Sequence, residues 1–515
     1  MSGRTYYVTT PIYYVNDAPH IGHAYTTLAC DVLARFMRLD GRDVHFLTGT
    51  DEHGQKVEKA AEAAGLSPQA FTDKVSQSFR DLVAKMGYSP DNFIRTTEKR
   101  HYAASQALWQ KLVAAGDIYL GKYAGWYSVR DETYFLESET EVGPDKKRRA
   151  TATGAEVEWV EEPSYFFKLS AWGDRLLEFY DRNPRFIAPE SRRNEVISFV
   201  KGGLQDLSVS RTSFSWGVPV PGDPKHIMYV WLDALTNYIT ECGYPDTNGP
   251  LWKYWPADLH MVGKDIIRFH CVFWPAFLMS AGLAPPRRVF AHGWWTNEGQ
   301  KISKSLNNAI DPVELVDSYG LDPVRYFLLR EVPFGNDGDF QRRALIGRLN
   351  SDLANAYGNL CQRVLSIIAK SCGEKVPAKG TLVAVDTALL DRAKALLAVV
   401  RAELDEQAFH RALTTIWEVI AEANRYVDAQ APWALAKTDP ARRDTVMWVL
   451  AESIRRVTLL VQPFMPQSAA RILDQLAVPA GDRVFPAFDR ELAPGTLLPK
   501  PQGVFPRYVE PKAAA

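Results

Sequence analysis

The stretch TYYVTTPIYYVNDAPHIGHAYTTLACDVLARFMRLDG, residues 5–41, contains the change of periodicity on which the fold turns. Its first ten residues are rich in Tyr, Val, Thr and Ile, which suit a pleated, half-buried strand. A Pro/Asn/Asp loop follows, and Leu28, Val32, Phe36 and Leu39 then recur at helical spacing before Gly41. The next apolar run, RDVHFLTGTDEHG (42–54), ends in a polar loop, and QKVEKAAEAAG (55–65) is a further helix closed by Gly65. This alternation points to a parallel sheet with helices on its faces.

His20 and His23 stand three residues apart on the first turn of the first helix, so their imidazoles share one side. Capping or packing explains such a pair as readily as chemistry does. Their position favours chemistry, because ligands of open α/β sheets bind where a strand hands over to its helix. There the helix start offers free N–H groups and a partial positive charge, Gly22 admits a flat base, and each imidazole can donate to phosphoryl oxygen. Together they suit a nucleoside triphosphate. A second basic element, EGQKISKSLNN (298–308), follows the last strand with Lys301, Ser303, Lys304 and Ser305. Alone it reads as a solvated loop; facing the histidines it would hold a leaving pyrophosphate, which implies displacement at the α-phosphorus of ATP.

A chain of 515 residues exceeds a single core, and 46% hydrophobic residues provide ample apolar area for several. The formal charge of -1 excludes a uniformly basic nucleic-acid coat but not a local basic track. Cys30, Cys242, Cys271, Cys361 and Cys372 form neither a disulfide framework nor a zinc module, so a reducing compartment is expected. The N-terminus reads as a strand rather than a secretion signal, and no run approaches the roughly 18 apolar residues of a membrane span, which makes the expectation cytoplasmic.

From residue 116 to 225 the alternation gives way to aromatic, turn-rich sequence with the charged run GPDKKRRATATG, which reads as an insertion. A strand HIMYVWL (226–232), the helix DALTNYITECG, the strand DLHMVG (258–263), a helix from Ile266 to about Ser280 and the strand RRVFAHGWW then resume the first pattern. Beyond residue 345 every long segment is helical: Leu389, Ala393, Leu396, Leu397, Val400 and Leu404 form one stripe, and Val446, Val449, Leu450, Ile454, Val457 and Val461 another. The Pro-rich tail reads as extended.

The ordered pair HIGH (20–23) and KISKS (301–305), with an insertion between two half-sheets, resembles the signatures of class I aminoacyl-tRNA synthetases. TTPIYYVND, TGTDEHGQK, YVWLDALTNY, GKDIIRFH, FAHGWWT and the Pro-Trp of the helical region resemble the methionyl-tRNA synthetases over essentially the whole chain. The resemblance implies an α/β fold: a Rossmann-like catalytic domain whose first half is 1–115, a connective insertion at 116–225 and the second half at 226–290. It further implies a KISKS and stem-contact region at 291–345, a helical-bundle anticodon-binding domain at 346–495 and an extended tail at 496–515.

It also implies that methionine and ATP, with Mg²⁺ on the phosphates, give methionyl-adenylate and pyrophosphate, after which the terminal adenosine of methionine tRNA, initiator or elongator, takes the acyl group. His20, His23, Lys301 and Lys304 would stabilise the transition state, with Gly22, Gly263, Asp265, His292 and Ser303 around ATP. The family match puts Asp51 on the substrate ammonium, and Ile12, Tyr14, Trp231, Ala234, Tyr238, Ile266 and His270 around the side chain. A thioether gains from aromatic contact, yet Trp231 and Tyr238, seven apart, equally describe a core stripe, and Asp51, Glu52 and His53 equally describe a helix cap. Asn359, Arg363, Pro432 and Trp433 are assigned to the anticodon, against Trp433 as bundle core. Arg342, Arg343, Arg348 and the DKKRR run read as solvated.

Relatives often carry a zinc knuckle beginning C-x-x-C, where this chain has Tyr127-Ser128-Val129-Arg130 and no cysteine in the insertion, so no structural zinc is expected. A monomer is expected as well. The alternatives are another nucleotidyl transferase with an H-x-G-H loop, which needs no KISKS loop or helical region, and a non-catalytic tRNA-binding paralogue, against which both intact signatures stand. Synthetases for valine, isoleucine and leucine need a larger editing insertion.

Overall fold

The computed structural model describes residues 4–15, 18–131, 133–302 and 308–510. β1 (Thr5–Thr9) and β2 (Tyr13–Tyr14) run along one side of β3 (Asp43–Asp51), interrupted around Pro11, which has no N–H for a ladder. α1 (Ile21–Leu39) connects β2 to β3, and α2 (Gln55–Ala63) and α3 (Pro68–Lys85) lead to β4 (Asn92–Arg95) on the other side of β3, followed by α4 (Lys99–Ala114).

The region expected as an insertion opens on β5 (Ile118–Ser128), β6 (Thr133–Phe135), β7 (Thr140–Val142), β8 (Arg148–Ala150) and β9 (Glu158–Phe167). β5 and β9 form a long antiparallel ribbon, from Ile118 opposite Phe167 to Tyr127 opposite Glu158. α5 (Gly173–Arg182), β10 (Ile187–Ala188) and α6 (Glu190–Lys201) follow, and β10 returns to the main sheet as a parallel edge strand. The stretch 116–225 thus contributes both a separate ribbon and a piece of the central sheet.

After β11 (Leu207–Ser208), the strands β12 (Ser210–Arg211), β13 (Pro219–Val220) and β14 (Asp223–Met228) make a small antiparallel sheet. This corrects the sequence expectation for HIMYVWL: the strand ends at Met228, does not join the parallel sheet, and Val230 already opens α7 (Val230–Glu241). α7 is buried almost all round, so its apolar run lacks the polar face that separates a helix from a buried strand. β15 (Leu259–Gly263) and β16 (Val289–His292) complete a seven-stranded parallel sheet in the order β10, β16, β15, β1, β3, with β2 and β4 beside β3. The order reverses between β15 and β1, and the carboxyl ends of these two strands flank the crevice where such sheets bind ligands.

The helix expected from Ile266 has a π turn at Phe269–Phe273 before α8 (Trp274–Ser280). Pro275 cannot donate to the carbonyl of Cys271, which instead accepts the hydroxyl of Tyr180 at 2.6 Å. Beyond the sheet, β17 (Trp295–Asn297) and β18 (Gln300–Lys301) form a hairpin, with α9 (Pro312–Tyr319), α10 (Leu321–Arg330) and β19 (Gly338–Phe340) after it. α11 (Arg342–Arg348) runs through a π segment into α12 (Asn359–Ser371), and α13 (Ala384–Asp405), α14 (Phe409–Gln430), α15 (Pro432–Thr438), α16 (Pro440–Val461) and α17 (Pro466–Gln475) form the helical bundle. Both apolar stripes read from the sequence are buried in it.

One buried ion pair joins α1 to α10 and to the end of the bundle helix α16. Asp31, on α1, accepts from the Arg325 guanidinium at 2.6 Å and from Arg35 at 2.8 Å, and both Asp31 and Arg325 are fully enclosed. The other guanidinium hydrogens of Arg325 go to the carbonyls of Met86, Pro463 and Phe464, the last two at the end of α16. Burial would raise the Asp31 carboxyl, but the two guanidinium groups outweigh it and hold the group below the ordinary carboxylate range. Asp31→Ala leaves a buried, unpaired guanidinium and is expected to cost about 3–5 kcal/mol, read as a lower urea midpoint; an unchanged midpoint contradicts this role.

Candidate active site

His20 is the N-cap of α1, and its Nδ1 accepts the backbone N–H of Gly22 at 3.0 Å. His23 answers it: its Nδ1 accepts the backbone N–H of His20 at 3.1 Å, a reciprocal capping box made of two imidazoles. The capping read from the sequence is thus present, on the Nδ1 atom of each ring. Since each Nδ1 is an acceptor, the ring proton of each neutral imidazole resides on Nε2. The rings lie 3.9 Å apart between centroids, and a Cβ on residue 22 would come within 2.9 Å of the His20 ring, which is why glycine stands there. Burial, then the neighbouring His20, push the His23 imidazole well below its ordinary range, so it stays neutral.

A cavity of 440 Å³ opens beside this turn at the carboxyl ends of β1, β3 and β15. His20, Gly22 and His23 line it on one flank, and Gly263, Asp265 and His292 on another. Ile12, Tyr14, Asp51 and Trp231 line it too, with Ala234, Tyr238, Ile266 and His270. The sequence-derived ATP and methionine sets, as far as they fall on described residues and outside the KISKS loop, thus border one space. Trp231 stacks on Phe269 with centroids 3.5 Å apart, whereas Tyr238 is buried and gives its hydroxyl to His270 Nε2 at 2.7 Å. His270 Nδ1–H donates to the carbonyl of Ile266 at 3.0 Å, and burial lowers its imidazole to about 4. His292 spends both nitrogens inside the protein, on Thr26 Oγ1 at 2.7 Å and on the Gly293 carbonyl at 2.8 Å.

A second cavity of 610 Å³ adjoins the first, and His20, Gly22, His292 and Trp294 line both. Its far wall includes Ile302, Ile310 and Asp311, and the N–H of Ile21 donates to the carbonyl of Ile310 at 3.2 Å. The two ends of the KISKS loop are thus brought to the start of α1. Lys301 closes the β17–β18 hairpin opposite Thr296. Ser303 and Lys304 lie outside the described residues.

Capping does not account for the acidic loop after β3. The N-cap of α2 is Gly54, without a side-chain cap; Glu52 is buried against Arg95 at 2.7 Å, and Asp51 borders the cavity. His53 Nδ1 lies 2.6 Å from Asp233 Oδ2, and His101 Nε2 lies 2.6 Å from Asp233 Oδ1, all three buried. Burial alone would raise the Asp233 carboxyl; the imidazoles overcome it and hold it well below the carboxylate range. This network ties α7 to the loop that follows Asp51 at the end of β3, and sequence reasoning missed it. An aspartate inside an otherwise apolar helical run was the available signal.

In the bundle, Asn359 and Arg363 lie on α12 and Trp433 is 51% exposed, which excludes it from the core. The Arg363 guanidinium lies 5.8 Å from the Trp433 ring centroid and 2.7 Å from Asp428. Pro432 is buried at the first position of α15, so it sets the helix start rather than presenting a face. Of the basic runs, Arg348 pairs with Glu331 and Asp352, and Lys147 and Arg149 pair with Glu156 and Asp145. Among the described residues no group of three His, Cys, Asp or Glu is arranged to hold a metal, and no helix is long and apolar enough to cross a membrane.

The family model described as tRNA synthetases class I (M) matches residues 6–365, and that of the anticodon binding domain of methionyl tRNA ligase matches residues 376–512. Methionine–tRNA ligase of Mesorhizobium japonicum is 59% identical over all of both chains, and that of Brucella suis is 59% identical over 99% of each. The solved structure of Mycobacterium tuberculosis methionyl-tRNA synthetase in complex with methionyl-adenylate superposes with a TM-score of 0.96 at 55% identity, covering 98% of this chain and 100% of that one.

His270 generates a pH prediction. The unfolded imidazole takes a proton below about 6.5 while the folded one resists until about 4, so its contribution is complete above 6.5 and is lost as pH falls through that window. The loss amounts to about 3 kcal/mol. Urea titrations between pH 7 and 4 should show a shallower decline for His270→Gln than for the parent; parallel declines contradict the assignment.

Proposed function

The chain belongs to the class I methionyl-tRNA synthetases, which activate L-methionine with ATP and transfer it to methionine tRNA, and on that premise we propose how its own residues divide the work. The methionine carboxylate attacks the α-phosphorus of ATP, the bond to the β-phosphate oxygen breaks, and pyrophosphate leaves. His20 and His23 donate their Nε2–H groups to phosphoryl oxygens as charge builds there, and Lys301 and Lys304 take the pyrophosphate side. Mg²⁺ enters on the triphosphate as part of the substrate and neutralises phosphoryl charge. The observation that carries this reading is the capping box, in which each Nδ1 accepts a backbone N–H, so that the proton of each neutral ring is on Nε2, on residues that line the cavity.

Asp51 receives the substrate ammonium, and the wall formed by Trp231, Tyr238, Ile12 and Ile266 takes the thioether side chain, which gains from sulfur–aromatic contact. Asp265 and Gly263 hold the ribose: a Cβ on residue 263 would come within 2.5 Å of an Asp265 carboxylate oxygen, so only glycine lets that carboxylate lie where it does. The exposed Trp433 face and the neighbouring Arg363 supply stacking and edge contacts for the anticodon shared by initiator and elongator methionine tRNAs, Asn359 adds an amide, and Pro432 positions Trp433. The chain acts as a monomer in this reading, and its five free thiols support the cytoplasm. The aromatic contacts of the insertion, among them Trp126 on Trp159 and Tyr127 on Tyr134, support an insertion held without zinc.

Asparagine can replace the capping acceptor of His20 but not its Nε2–H; glutamine can replace the distal donor but not the cap. His20→Asn is expected to keep the thermal midpoint and lose about 10²–10³ in kcat of methionine-dependent pyrophosphate exchange, whereas His20→Gln retains more rate and loses stability. The reverse ranking contradicts the division. Trp433→Ala should raise KM for tRNA about tenfold, in keeping with the loss of one stacked base, and leave pyrophosphate exchange unchanged; an equal fall in both contradicts the anticodon role.

A further inference from the structure

Trp294 is 46% exposed, yet it is held from three directions. Its backbone N–H donates to Asp337 at 2.8 Å, its indole Nε1–H donates to Asp265 at 3.0 Å, and the Lys264 ammonium lies 4.3 Å from the ring centroid. Lys264 is itself tied to the other oxygen of Asp337 at 2.6 Å. The preceding residue is glycine because a Cβ there would come within 2.3 Å of the Asn336 backbone, so the chain that carries the indole is pressed against the segment that carries Asp337. A large aromatic ring kept at the surface by a hydrogen bond, a cation and a clamped backbone is held for its position, since burial accounts for little of it.

That position is the boundary of the two cavities, both of which Trp294 lines. Asp265 stands on the short helical turn after β15, exposed to the first cavity, and the indole is the one described group that hydrogen-bonds to its carboxylate. With one oxygen tied to a fixed N–H, the carboxylate loses rotational freedom and the other oxygen is left to accept from a ligand. We propose that Trp294 is a positioning residue for the nucleotide: its indole N–H fixes the Asp265 carboxylate in the orientation that grips a ribose hydroxyl of ATP, and so contributes to the choice of a ribonucleotide. The proposal rests on the reading of Asp265 as the ribose acceptor. Lys264 and Asp337 are the supports that hold the indole in plane.

The test is pyrophosphate exchange with ATP, 2′-deoxy-ATP and 3′-deoxy-ATP for the parent, Trp294→Phe and Asp265→Asn. Phenylalanine keeps a ring for Lys264 and removes the N–H. Trp294→Phe should lower kcat/KM for ATP about tenfold, lower it much less for the analogue lacking the gripped hydroxyl, and leave KM for methionine unchanged. Equal losses on all three nucleotides would mark the indole as merely structural, and no loss on ATP would remove it from nucleotide binding; either overturns the proposal. Asp265→Asn separates the two claims. If it abolishes discrimination among the nucleotides while Trp294→Phe keeps it, the ribose reading stands and the role of Trp294 falls; if Asp265→Asn keeps full discrimination, the ribose reading itself falls.

Discussion

The start of α1 is the constraint on which the rest depends. A helix has N–H groups at its N-terminus that its own turns cannot satisfy, and here two of those near the turn are taken by the Nδ1 atoms of His20 and His23. The same bonds settle which nitrogen of each ring carries the proton. Satisfying the backbone and preparing two donors are thus one act, and the second costs no further ordering of side chains. Gly22 is part of the device, because any larger residue would collide with the folded-back His20 ring.

A turn of this kind is useful only if it stays put relative to the sheet and to the segment that closes on it from the other side. The Asp31–Arg325 pair fixes α1 about three turns further on, and Arg325 extends the hold to the carbonyls at the end of α16. The hydrogen bond from Ile21 to Ile310 joins the first turn to the exit of the KISKS loop. Across the crevice, Asp233 with His53 and His101 locks α7 to α4 and to the loop that follows Asp51. The Asp31–Arg325 pair and the Asp233 network each place a charge or an imidazole where water is excluded, so each is strong only while complete.

Much of this was legible in the sequence, for reasons that can be named. The change of period in residues 5–41 marked the strand and α1 through residue type and the spacing of Leu28, Val32 and Phe36, although β1 is buried on both faces and α1 nearly all round as far as Phe36. The stripes of α13 and α16 read as helices by the same logic, although α16 is buried on every side and includes Glu452, Arg455 and Arg456. HIMYVWL misled, since the start of α7 has no polar face to show its period. The residues of the cavity were found through motif resemblance; their spacing alone would have assigned Trp231 and Tyr238 to a core stripe, which is half true, as Tyr238 is buried and Trp231 faces the cavity. The Asp233 network, the Glu52–Arg95 pair and the tether on Trp294 could not be read, because each joins residues far apart in the chain that no local pattern connects.

The backbone dictates the protonation of the two imidazoles at the start of α1. A neutron crystal structure of the deuterated enzyme with a non-hydrolysable ATP analogue tests it most directly. The account requires deuterium on Nε2 of both His20 and His23, directed at phosphoryl oxygens, with none on either Nδ1. Deuterium on Nδ1 of either ring, or both Nε2 atoms turned away from the phosphates, would contradict it.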